Sequence, residues 1–158
     1  MAAIFPGRFT AQADKPVVLF LIGMRINNLL ALSDIAFMSK TMPAMLKELS
    51  QKKDSGMLWF RTHVSLPRYV SVQQYWESFD KLLAYAHDKD GHHFPMWAEF
   101  NKRIMKSKNV GIWHETYLVE PGKFECVYGN MPLFGLAAAT AQVPAEGRLA
   151  QAKDRFAS

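Results

Sequence analysis

The run Gly111-Ile-Trp-His-Glu-Thr-Tyr-Leu-Val119 decides how this chain is read. Its β-branched and aromatic residues lie between a glycine and the turn Glu120-Pro-Gly-Lys123, which predicts a strand. Alternation puts His114, Thr116 and Leu118 on one face, and Trp113, Glu115, Tyr117 and Val119 on the other. Neither face reads as a water face, so cover on both sides is expected. A buried His114 and Glu115 would then need partners, because an unpaired buried polar group is costly. Two readings stand: a satisfied core histidine with a structurally paired carboxylate, or a direct role in a ligand pocket.

Working outward, 158 residues suffice for one domain with a real core. Apolar residues make up 49% and charged residues 21%, which excludes a disordered chain. The aromatic share of 13%, with nine Met, predicts an aromatic and thioether-rich core or pocket. The formal charge is +5, but Lys and Arg are spread along the chain and no nucleic-acid motif accompanies them. The local clusters, 47–53 and 102–108, read as solvated helix faces. A single cysteine, Cys126, excludes an intramolecular disulfide and any Cys-based zinc site, and fits a reducing compartment. The first ten residues have no signal-peptide core, and the longest apolar run, Val17 to Ile22, is too short for a membrane span. A soluble, cytoplasmic protein is expected.

In chain order, residues 1–15 lack periodicity and read as an arm. Val17 to Ile26 is a near-continuous apolar run suited to a central strand, with Arg25 its one charge, placed to pair structurally or to face a cleft. Asn27 to Lys40 reads as a short helix or ordered loop. Thr41 as N-cap with Pro43 in the first turn predicts a helix over about 42–53. Met57 to Leu66 and Tyr69 to Trp76 form a hairpin around Pro67-Arg68, and Ser78 caps an amphipathic helix to about His87. A polar break to His93 precedes a helix over Pro95 to Met105, and Phe124 to Tyr128 reads as one more short strand. Asp88-Lys-Asp-Gly resembles part of a calcium loop, but Phe94 to Trp97 supply no oxygen ligands. From Met131 the chain reads as an extension packing on the domain, which spans 16–130, or on a partner subunit.

Strand, helix, strand, strand, helix, strand is the ferredoxin-like βαββαβ order, an α+β fold with an antiparallel sheet. Helices cover one face only. Strands apolar on both faces then predict two sheets from two subunits packed face to face, a dimeric α/β barrel and a homodimer.

Phe20-Leu-Ile-Gly-Met-Arg-Ile-Asn27, Gln74-Tyr-Trp-Glu-Ser-Phe79, Trp97-Ala-Glu-Phe-Asn101, the Gly111 to Tyr117 run and Tyr128-Gly-Asn-Met-Pro132 resemble an uncharacterised monooxygenase-like family. That family is related to the dimeric α/β-barrel superfamily of the antibiotic-biosynthesis monooxygenases. The resemblance covers roughly residues 16 to 137. It implies the barrel fold, while its relatives range from cofactor-free quinone-forming oxygenases to haem-degrading enzymes, haem peroxidases, chlorite dismutases and haem aldoxime dehydratases. Fold alone does not choose among them.

A cofactor-free oxygenase needs an apolar aromatic pocket, a proton acceptor and donors for a developing oxyanion. Trp76, Trp97, Trp113 and Tyr117 are the candidate lining, His114 or His92 the base, and Arg25 and Asn130 the oxyanion holders, with Glu115 beside His114. The expected partner is a small hydrophobic or aromatic substrate, and no cofactor is the leading expectation. Haem is the alternative. The resemblance to haem-degrading enzymes implies an axial histidine before the last core strand, where His92 and His93 fall, with Tyr85 earlier in the chain where those enzymes carry tryptophan. A solvated loop pair is the plain reading of the same histidines, and no metal site has a third ligand at a recognised spacing. A non-catalytic ligand-binding dimer is the third reading.

Overall fold

Val17–Ile26 is apolar on both faces because it lies inside a four-stranded antiparallel sheet in the computed structural model. The structure describes residues 2–52, 54–88, 98–99, 102 and 105–156. The strands of this sheet are β2 (Val17–Ile26), β3 (Met57–Ser65), β4 (Tyr69–Trp76) and β5 (Val110–Val119), in the order β3-β4-β2-β5. This is the ferredoxin-like arrangement. Helices α1 (Leu32–Gln51) and α2 (Phe79–Ala86) follow β2 and β4. Register sets Val18 opposite Trp76 and Leu118, and Ile22 opposite Val72 and His114, so these side chains share one face. That face meets the helices: Val18 and Trp76 pack with Leu49 of α1 and Leu82 of α2, and Met24 packs with Met38.

Helix α1 begins at Leu32, nine residues before the Thr41 cap expected from sequence, and Leu32 to Lys40 form its first half. Its start is fixed by tertiary contacts rather than by a local cap. Ala31 makes no capping bond, whereas Asp34 is buried and takes the Asn109 amide at 2.9 Å. Thr41 is itself buried inside the helix, its hydroxyl donating to the Phe37 carbonyl at 2.8 Å. Pro43 is interior, so the Ser39 carbonyl lacks its usual N–H donor. The Ser78 cap of α2 is as expected, its hydroxyl accepting from the Lys81 N–H at 3.2 Å.

The residues expected to be an arm are instead the middle of a second sheet. Strand β1 (Phe5–Gln12) pairs with β6 (Tyr128–Met131) on one side and β7 (Ala141–Pro144) on the other. Local pattern hid it, because Pro6 and Gly7 interrupt the alternation where the register shifts. Of the short strand expected over 124–128 only Tyr128 is in β6, which runs on to Met131. The extension from 131 packs on its own domain. Helix α3 (Gly135–Ala139) contacts β1, β3, β4 and β7, and Leu136 and Ala137 join Ala11, Val17 and Tyr75 in one core cluster. Helix α4 (Ala152–Phe156) is anchored by buried Arg155, paired with Glu125 at 2.6 Å and donating to the carbonyls of Leu149 and Ala150.

The small sheet and α3 thus cover one end of the face away from α1 and α2. Strand β5 differs from expectation: within the chain only Val110 is buried, and residues 112–118 are exposed. It is the edge strand of its sheet, with β2 as its one neighbour among the described residues.

Candidate active site

Beneath α1 the sheet carries two adjoining cavities. The more enclosed, about 60 Å³, lies over Phe20, Ile22 and Gln74, roofed by Met45 and Leu49 of α1 and by Tyr85 of α2. The larger, about 500 Å³, lies over Met24, Phe60 and Val70, with Met38 of α1 above. These residues come together because β-alternation points every second side chain at the helices, while Met38, Met42, Met45 and Leu49 recur at helical spacing.

Polar groups in the inner cavity are few. Gln74 is 5% exposed, and its side-chain oxygen accepts from the Trp76 indole at 2.9 Å. Its amide NH₂ has no partner among the described residues, so it is the donor this lining offers. The Tyr85 hydroxyl donates to the Met45 carbonyl at 3.4 Å, and its ring sits 5.7 Å from that of Trp76. Burial, helped by the negative charges of Glu48 and Asp88, pushes the Tyr85 phenol up to about 12, so it stays neutral. His114 stands beside this cavity on the neighbouring strand. It pairs with Ile22 in register, its ring 5.8 Å from that of Phe20, and both partners line the cavity.

The opposite face gathers a different set. Trp113 lies across Gly23 so closely that a Cβ there would meet indole atoms at 2.8 Å, which explains a glycine in the middle of an apolar strand. Tyr117 donates to Glu115 at 2.7 Å, and that carboxylate holds the phenol above its ordinary range. Arg25 pairs with no carboxylate among the described residues: it donates to the Tyr69 hydroxyl at 2.8 Å and to Asn27, and lies over the Tyr69 ring.

The residues singled out from sequence are therefore not one constellation. His114 and Trp76 share the helix face, but Trp76 is fully buried core that acts on the cavity through Gln74. Arg25, Trp113, Glu115 and Tyr117 share the other face. Asn130 lies in the second sheet, accepting from the Gly7 N–H at 3.0 Å. Trp97 and His92 lie outside the described residues. Sequence reasoning passed over Gln74 and Met42 as site residues, and brought in Tyr85 only within the haem alternative. The available signal was Gln74 itself, a polar residue on the Val70, Val72, Trp76 side of its strand.

Among solved structures, an aldoxime dehydratase superimposes with a TM-score of 0.52 at 14% identity, covering 96% of this chain and 44% of that one. This chain therefore spans under half that enzyme's length. A dimeric protein of unknown function and ferredoxin-like fold from Bacteroides fragilis gives 0.46 at 9% identity, covering 66% and 95%. SnoaB, a cofactor-independent oxygenase from Streptomyces nogalater, gives 0.46 at 6% identity, covering 67% and 94%. At these identities the likeness concerns fold. No curated protein sequence matches the chain. The family match takes in residues 17–136 and with them both cavities and His114. The chain belongs to the monooxygenase af470-like family.

Proposed function

We propose that this protein is a monooxygenase-like enzyme that oxidises a small hydrophobic or aromatic molecule on the helix face of the sheet, with no cofactor of its own. One observation carries the reading: an apolar cavity whose floor offers a single amide donor, Gln74, lies beside His114. Such a site suits a phenolic substrate. His114 takes the phenolic proton, the Gln74 amide donates to the resulting oxyanion, and the apolar walls keep water from the electron-rich ring. The substrate anion then reduces dioxygen. One oxygen atom is retained as a quinone carbonyl on a ring carbon that gives up its one hydrogen, and the other leaves as water with that hydrogen and the phenolic one.

Haem suits the described lining less well. The larger cavity presents Met sulfurs, and among the described residues neither cavity is lined by histidine or cysteine. Mixing the protein with haemin tests this: a sharp Soret band lost on His114→Ala would make the histidine an axial ligand and overturn its role as base.

The open half of the other face suits a second copy of the chain, because Trp113 and Tyr117 stand exposed on it. Sedimentation equilibrium tests the homodimer. Oxygen consumption with a panel of single-ring phenols tests the chemistry. Turnover lost in His114→Ala with the fold intact supports the reading; binding without oxygen uptake throughout the panel would leave a ligand-binding protein.

A further inference from the structure

The two cavities under α1 are unequal, and the same two side chains, Met42 and Leu46, wall both. The inner one, at about 60 Å³, is smaller than an aromatic ring needs and admits one only when its wall gives way. The outer one, at about 500 Å³, is of ligand size. Its floor and roof are Met24, Met38, Phe60 and Val70, while Ser50 and Lys47 are exposed at its edge. The dividing wall stands at the weakest point of α1. Pro43 follows Met42 directly and removes the helical hydrogen bond to Ser39, a residue that also lines the outer cavity. Met42 is unbranched and only partly buried, so it can swing aside where a β-branched residue could not.

We infer that the ligand is an elongated amphiphile: a small polar head, such as one phenol ring, enters as Met42 swings aside and enlarges the inner cavity, reaching Gln74 on the side next to His114, while an apolar arm fills the outer cavity. This deepens the reading of the site proposed above and rests on it. Met42 and Leu46 are then specificity-determining residues, setting head size, and the outer cavity sets arm length.

The test is a series of 4-alkylphenols of increasing chain length, with binding followed by calorimetry. Affinity is expected to rise about fourfold per methylene, the equivalent of about 0.8 kcal/mol for each buried CH₂, and then to level off when the outer cavity is full. Thr62→Trp, an exposed position on the outer cavity, should flatten the series while leaving 4-methylphenol binding unchanged. Met42→Ala should admit a two-ring head that the wild type rejects. A series with no dependence on chain length, or one that Thr62→Trp leaves unaltered, overturns the inference. These outcomes are separable from failure of the oxygenase reading. A normal chain-length series with no oxygen uptake would sink the chemistry and leave the ligand class standing, whereas His114-dependent turnover with a flat series would do the reverse.

Discussion

The two faces of the central sheet begin one residue apart on β5 yet differ in almost every physical respect. His114 stands exposed on the side of the sheet that carries α1, α2 and an apolar cavity, beside the Phe20 that lines it, whereas Trp113 and Glu115 look toward a face that the small second sheet covers only at one end. The helix face is apolar and thioether-rich where α1 and α2 cover β2 and β4, and exposed along β5. The open face carries aromatic rings with polar ends: the Tyr117–Glu115 pair, and Arg25 over Tyr69. Neighbouring residues in a strand therefore belong to different environments, and a dense run of reactive side chains is not by itself a site.

The comparison breaks first if its core gives way. Trp76 is fully buried between the sheet and both helices, and Trp76→Ala should cost about 3–5 kcal/mol in chemical unfolding and release Gln74 from its indole partner. A loss below about 1 kcal/mol would mean that the helix face is loosely packed around Trp76. Next, the faces separate by function. His114→Ala should lower turnover by roughly 100- to 10,000-fold, the range of a general base, while Glu115→Ala should leave it near the wild-type value. Equal losses in the two variants would mean that the faces are coupled.

On the open face, Gly23→Val forces Trp113 off the strand. Because that indole is 38% exposed and can swing outward, the cost should be about 1 kcal/mol, the low end of overpacking penalties, with a red-shifted indole emission. Alkylphenol binding on the other face should not change. The smallest effect concerns pH. Tyr85 holds its proton more tightly folded than unfolded, so its contribution to stability is complete below pH 10 and is lost as the pH rises from 10 through about 12. Tyr85→Phe should remove that part of the alkaline loss, seen as a shallower fall in urea midpoint across the same range.

Much of the fold was legible because it is written in local alternation. The β3–β4 hairpin, the Ser78 cap and the βαββαβ order rest on residues whose neighbours in sequence are also neighbours in space. What escaped depends on distant partners. The first half of α1 is held by Asp34 against Asn109, 75 residues away, and no propensity announces such a bond. Strand β1 carries Pro6 and Gly7 and becomes a strand because β6 and β7 flank it. For the site, alternation gave the correct division of the 111–119 run into two faces, but not which face the helices would cover. Gln74 was passed over because an amide in a strand is chemically quiet until its surroundings are dry. The exposure of β5 differed from expectation for a related reason: apolar and aromatic residues on both faces report what must be covered, not whether the same chain does it.

The second sheet also bears on how the protein is made. Thr10 bonds to the carbonyl of Cys126 across 116 residues, and the flanking strands β6 and β7 lie later still. At cellular rates of synthesis, residues 5–12 leave the ribosome on the order of ten seconds before the strands that will hold them. During that interval the edges of β1 are unpaired, and its later-buried residues Thr10 and Ala11 lack their cover. Pro6 and Gly7, which obscured the strand in the sequence, are residues that discourage premature pairing with another nascent chain.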